Sequence, residues 1–248
     1  MLFLLLINKM NRNLYFYTMK NSPSIPSTAF TFLKLLKKNN DRDWFAKNKE
    51  RFVAEQEAVI SFLDALLPEV NKHDVIENEN GKKSLYRIYR DVRFSKDKVP
   101  FKTHFGGSLR RATKARRGSY YFHLEPGNSF AGGGFWEPSP EDLKRIREEF
   151  SADPDRIRKL LKAKTFKSYF GELYGEQLKT TPKGFQPDDP AIDLLRYKQF
   201  AVIRHFTDKE VMAVSFLKEL NATFKAMRPF LDYMSEVLTT DINGESLL

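Results

Sequence analysis

Apolar residues recur at helical spacing near the start of the chain, alternate through its middle, and return to helical spacing toward the end. Phe30, Leu33 and Leu36 share one face of a short helix that stops near Asn39 and Asn40. Asp41 is placed to cap a second, longer helix, whose apolar stripe runs from Trp44 and Phe45 through Val59 and Leu63 to Val70. The middle predicts strands over Tyr86–Phe94, Phe101–Leu109, Ser119–Glu125 and Phe130–Trp136, joined by short turn-like segments. Consecutive strands with short connections favour an antiparallel meander.

Helix signals resume at Ser139, with Pro140 behind it and acids in the first turn, and again at Asp153–Pro154. A Pro/Gly loop spans Thr180–Pro190, and Lys198–Phe206 reads as a fifth strand. Thr207–Glu210 is a capping box opening a helix that Pro229 interrupts or ends. The order predicts an α+β fold, with an antiparallel sheet of four to five strands packed by long N- and C-terminal helices. We expect one domain over residues 28–240, a poorly ordered leader and linker over 1–27, and a tail over 241–248.

Composition sharpens this picture. With 41% hydrophobic residues and 22 Phe in 248 positions, the chain can build a substantial core. It has no cysteine, which excludes disulfides and thiolate chemistry and fits a reducing, cytoplasmic setting. Met1–Ile7 is apolar but far shorter than the roughly 20 residues a membrane span needs. No basic residue precedes that run, so it makes a poor secretory signal. Residues 1–20 are expected to lie outside the fold, as they would if translation began at Met10 or Met19.

The net charge of +10 is concentrated in one segment. Gly81–Arg117 holds 13 Lys and Arg against 2 Asp, a net of +11, and the remainder is nearly neutral. Such a patch points to an anionic partner or to a solvated basic surface. Within it, strand parity sets Arg90 on the face of Ile88 and Val92, with Asp91 and Arg93 opposite. A guanidinium on an apolar face needs acceptors. Two readings stand: an internal pair with Asp97 or a helix acid, or an arginine held in a pocket for a phosphate or carboxylate. In the second, Arg90, Arg93, Lys98 and Lys102 supply the charge, and Asp91 and Asp97 orient it.

The other candidates are less specific. Tyr121, His123 and Glu125 fall on one side of a strand, and Lys102 and His104 on one side of its neighbour. In a suitable register Asp91, Arg93, His104, His123 and Glu125 converge, and Asp91, His123 and Tyr121 become weak candidates for acid–base work. His104, His123 and Glu125 are conceivable metal ligands, but their spacing is not diagnostic and no metal is assigned. Gly132–Trp136 lacks the nucleotide-binding glycine spacings, so close backbone approach or a bulge is the simpler reading. Arg110, Arg111, Lys114, Arg116 and Arg117 crowd a predicted loop near Phe105 and Tyr120–Phe122. They support an alternative nucleic-acid-binding module. A third reading is an interaction protein without a ligand site. No motif implies a cofactor.

Four ordered blocks, beginning "NNDRDWFAKNKERF", "RIYRDVRFSKDKVPFKTHFGG", "YYFHLEPGNSFAGGGFWEP" and "LKTTPKGFQPDDPAIDLLRYKQF", resemble the uncharacterised bacterial and fungal family named domain of unknown function 2461. The resemblance runs from about Phe30 to about Val237. It implies one compact unit and no established activity, and it defines no catalytic residues. The loop Arg110–Arg117 lies between the blocks, which weakens the nucleic-acid reading.

Overall fold

Ser27–Lys38 forms helix α1, which buries Ala29, Phe30, Phe32, Leu33 and Leu36. The computed structural model describes residues 23–241 and 243–248; the expectation for residues 1–20 lies outside them. Asp41 is an N-cap, accepting from the Trp44 amide at 2.8 Å, but the helix it starts is short: α2, Arg42–Lys47. A separate helix, α3, runs Lys49–Asn71. The break falls at Asn48, whose side chain donates to the Trp44 carbonyl at 2.9 Å. Side chains of this type compete with the backbone for its own hydrogen bonds.

The sheet has four strands, β1 Phe105–Arg110, β2 Ser119–Leu124, β3 Ser129–Phe135 and β4 Phe200–Phe206. They are antiparallel in the order β1-β2-β3-β4. The alternation of the sequence is therefore a true strand signal there, and the fold is α+β. Leu109, Tyr120, Phe122, Ala131 and Val202 point into the core. That face is covered by a long helix, α7, over Phe216–Thr239, which also packs on α3. Met227 of α7 reaches so close that a Cβ on Gly133 would lie 2.3 Å from its sulfur. The same Cβ would lie 2.6 Å from the Ser119 carbonyl oxygen, a backbone atom that cannot move aside, so the position requires glycine.

Between β3 and β4 come helices α4 (Pro140–Ala152), α5 (Pro154–Lys162) and α6 (Lys164–Phe170). Ser139 and Asp153 cap the first two as their Ser-Pro and Asp-Pro pairs foretold. Two expectations near the C-terminus need correction. The capping box at Thr207 and Glu210 is present but starts only the single turn Asp208–Val211. Pro229 neither ends nor divides α7, which continues to Thr239. Phe230, Leu231, Met234 and Val237 beyond it are fully buried, and that burial outweighs one lost helical hydrogen bond.

The largest departure is in the basic segment. Tyr86–Phe94 is not a strand, and β1 begins at Phe105 rather than Phe101. The two stretches do run side by side, bridged at Leu85↔Gly107 and Tyr89↔Phe101. Between those bridges three residues (86–88) lie opposite five (102–106), so Thr103 and His104 are squeezed out as a bulge. Pro100 adds no N–H to the pairing. The ladder cannot propagate past such a mismatch, although hydrogen bonds survive at Tyr86 N–Gly106 O (2.8 Å) and Lys102 N–Ile88 O (2.8 Å).

Candidate functional site

The face of the sheet opposite α7 carries a cleft of about 450 Å³. Strand parity and glycine explain the hollow. Ser108, Tyr121, Gly132 and Ile203 lie in register across the four strands, and Ser119 and Gly134 lie in the next row. Two of these positions have no side chain, so the floor drops at Gly132 and Gly134. Aromatic rings make the walls: Tyr86, Tyr121, Phe130 and Trp136. Trp136 is braced from behind by Tyr174, ring on ring at 5.3 Å and 8°. A second hollow, of about 270 Å³, lies beside α5 and α6, where Arg158 is already paired with Asp193 at 2.7 Å.

One end of the cleft is polar. Tyr121 Oη lies 3.0 Å from His123 Nδ1, and His123 Nε2 lies 3.2 Å from Glu125 Oε2. Glu125 also accepts from Thr103 Oγ1 at 2.9 Å and Asn128 Nδ2 at 3.2 Å. Burial alone would raise the Glu125 carboxyl, but the hydrogen bonds from His123, Asn128 and Thr103 together hold it below its ordinary value. Glu125 is thus an anion that can only accept, which assigns the His123 proton to Nε2 and makes Nδ1 the acceptor for Tyr121. Burial lowers the His123 pKa, with Glu125 opposing. Burial, then the neighbouring Tyr86 and Glu125, push the Tyr121 hydroxyl up to about 12.

The bulge delivers His104 to the same place. Its ring stacks on His123 at 4.0 Å, and Phe130 stacks on the ring of His123 at 4.7 Å. Burial, then the neighbouring His123, bring the His104 pKa down to about 4, so it is neutral at physiological pH. Among the described residues its ring forms no hydrogen bond with protein. His104, His123 and Glu125 each offer one ligand atom, all within 4.8 Å of one another.

The remaining predicted residues are elsewhere. Arg90 donates to Asp97 at 2.6 Å and to the Val99 carbonyl at 3.3 Å, closing the arm between residues 90 and 99. Arg93 forks onto Asp91 (3.0 and 2.7 Å), and Lys98 donates to the Val92 carbonyl at 2.9 Å. These residues fold the arm on itself and leave Phe94 95% exposed. Lys102 differs: its ammonium lies at 5.5 Å over the ring of Tyr86, which itself lines the cleft. So Tyr121, His123, Glu125 and His104 converge, Lys102 stands beside them, and Asp91 and Arg93 do not join them.

The basic loop is largely neutralised. Arg111 is buried, bonded to Asp74 at 2.7 Å and to Asp232. Arg110 pairs with Glu77 at 2.9 Å, Arg117 with Asp142 at 2.5 Å, and Arg116 lies 3.8 Å from Asp74. Lys114 is on the exposed turn between them. The local charge excess in the sequence is therefore met by acids distant in the chain. Sequence reasoning missed the part played by Thr103 and the delivery of His104 by a bulge. The one available signal was Pro100, immediately before the supposed strand.

Residues 28–233 match the model of a family described as "Conserved hypothetical protein (DUF2461)". The chain belongs to the DUF2461 family. No curated protein and no solved structure matches this DUF2461 member. Among its described residues no helix is long and apolar enough to cross a membrane.

Proposed function

We propose that this DUF2461 protein binds a small organic molecule in the glycine-floored cleft and removes a proton from it. The observation that carries this reading is the hydrogen-bonded chain Tyr121–His123–Glu125, which ends at the cleft wall. In the proposed step the Tyr121 oxygen takes a proton from the ligand as its own proton passes to His123 Nδ1. The resulting imidazolium lies between Tyr121 and the Glu125 carboxylate, which stabilises it. Flat floors at Gly132 and Gly134 between Tyr86 and Trp136 suit a planar ring. Lys102, held over the Tyr86 ring that lines the cleft, suits an acidic substituent at the cleft's edge, a narrower form of the anion-binding expectation.

A library of ring-bearing carboxylic acids and their matching amides, read by saturation-transfer NMR, tests the proposal. Acids are expected to bind better than amides, and Lys102→Ala to remove that difference. Tyr121→Phe, which removes one oxygen and keeps the wall, is expected to retain binding and abolish proton exchange from the bound ligand. Absence of any acid that binds the parent would overturn the reading.

A further inference from the structure

We propose that His104, His123 and Glu125 form a binding site for a divalent first-row transition metal ion of the zinc class, open toward the cleft. The proposal concerns the same polar end and rests on reading the cleft as a place of chemistry.

Four observations support it. First, two imidazoles and a carboxylate are an N₂O donor set that suits zinc and its neighbours. Second, His123 Nε2 and Glu125 Oε2 are 3.2 Å apart. Two ligands of one tetrahedral ion at about 2.0–2.2 Å from the metal are separated by roughly 3.3–3.5 Å. That edge of the tetrahedron is already built. Third, the groups behind the ligands are in place. Tyr121 meets the distal nitrogen of His123, and Thr103 and Asn128 hold Glu125. Such outer contacts orient metal ligands and fix their tautomers. Fourth, His104 has no hydrogen-bonding partner in the protein among the described residues, although a bulge carries it to this point. A ligand role accounts for that, and only His104 has to turn. The widest ligand-atom separation, 4.8 Å, must close by roughly 1–1.5 Å to reach a tetrahedral edge.

The proton balance is simple. The ion takes the place of the hydrogen on His123 Nε2, and that hydrogen moves to Nδ1. His123 then donates to the Tyr121 oxygen, and the Tyr121 hydrogen turns into the cleft. No proton is lost overall, and the hydroxyl becomes a donor toward a bound molecule; His123 then has no free nitrogen, so the Tyr121-to-His123 proton relay belongs to the metal-free form alone. With three protein ligands, the fourth position faces the cleft, the arrangement of catalytic rather than structural zinc sites.

Chelator-treated full-length protein titrated with Co²⁺, followed by visible absorption and calorimetry, tests this without any organic ligand. We expect saturation at one ion per chain, with the intense bands of a four-coordinate ion. His104→Ala and Glu125→Gln should each weaken binding by more than about 100-fold, since even outer contacts cost 10–100-fold. Thr103→Val should weaken it by about tenfold. His205→Ala, on the same sheet face but outside the cleft, should bind as the parent does. No saturable binding, or binding equal in His104→Ala and the parent, overturns the proposal. Co²⁺ binding without acid binding sinks the proposed function and keeps the metal site; acid binding without Co²⁺ does the reverse.

Discussion

Tyr120 and Tyr121 are neighbours on β2, yet their hydroxyls enter two different polar clusters. Tyr120 faces the core and donates to Asp74 at 2.6 Å. Arg111 donates to the same carboxylate oxygen and to Asp232, Arg228 bonds Asp232 at 3.1 Å, and Ser235 meets Arg111 at 3.2 Å. The Asp74 and Arg111 side chains are each 1% exposed. Burial would raise the Asp74 carboxyl, but hydrogen bonds from Tyr120, the Val75 amide and Arg111 outweigh it and hold it low. The Asp74–Arg111 centre of this cluster is closed, Asp232 and Arg228 form its exposed rim, and together they tie the loop after β1 to α7 and to the end of α3. The open-face cluster uses similar residue types but ends on a cleft and leaves an imidazole without a hydrogen bond. The satisfied, buried cluster has a structural part to play; the set with an unbonded imidazole at a cavity is the one proposed above to meet a ligand.

The largest effect expected on either side is from Arg111→Met. It leaves Asp74 and Asp232 facing each other without their shared cation, and should cost about 3–5 kcal/mol in urea unfolding. Tyr120→Phe removes one donor to a buried carboxylate and should cost about 1.5–3 kcal/mol. Neither should change Co²⁺ affinity if the protein is studied below its unfolding transition. Equal loss of metal binding in Tyr120→Phe would erase the contrast between the faces.

Acid sharpens the same comparison. The folded Asp74 pKa lies below its ordinary 3.8, so the unfolded chain binds the extra proton. Asp74 therefore contributes stability in full above about pH 4, and this is lost as pH falls through the folded value. The groups facing it are Tyr120, Arg111 and Arg116, with Asp232 and Arg228 behind Arg111. Asp74→Asn should flatten the fall in stability below pH 4; an unchanged slope would remove Asp74 from the account. Smallest of all should be Arg90→Ala. Its Asp97 partner is on the solvent-exposed arm, and exposed pairs add little, so the melting temperature should barely move.

Much of this was legible in the sequence, for definite reasons. Phe30, Leu33 and Leu36 lie on one helix face, and Ser119–Glu125 alternates, because each pattern reports a single buried side. Tyr121, His123 and Glu125 follow from strand parity alone. The register Gly106↔His123, and the bulge that brings His104 and Thr103 against it, depend on pairing between segments, which no local pattern records. Charge misled for a similar reason. Arg111, Arg110 and Arg117 read as a basic patch because Asp74, Glu77 and Asp142 are far away in the chain. The segment Tyr86–Phe94 failed as a strand because its partner carries two residues too many.

In the function proposed above, the face of Tyr121, not that of Tyr120, is where this protein meets other molecules. Ser108 lies on that face beside Tyr121, and a tryptophan there would fill the cleft without entering the core. The most direct test is saturation-transfer NMR of the carboxylic-acid library on the parent and on Ser108→Trp, with melting temperatures in parallel. Acids that bind the parent are expected to lose their signal in Ser108→Trp, at nearly unchanged melting temperature. The same acids binding both proteins equally would contradict the proposed function.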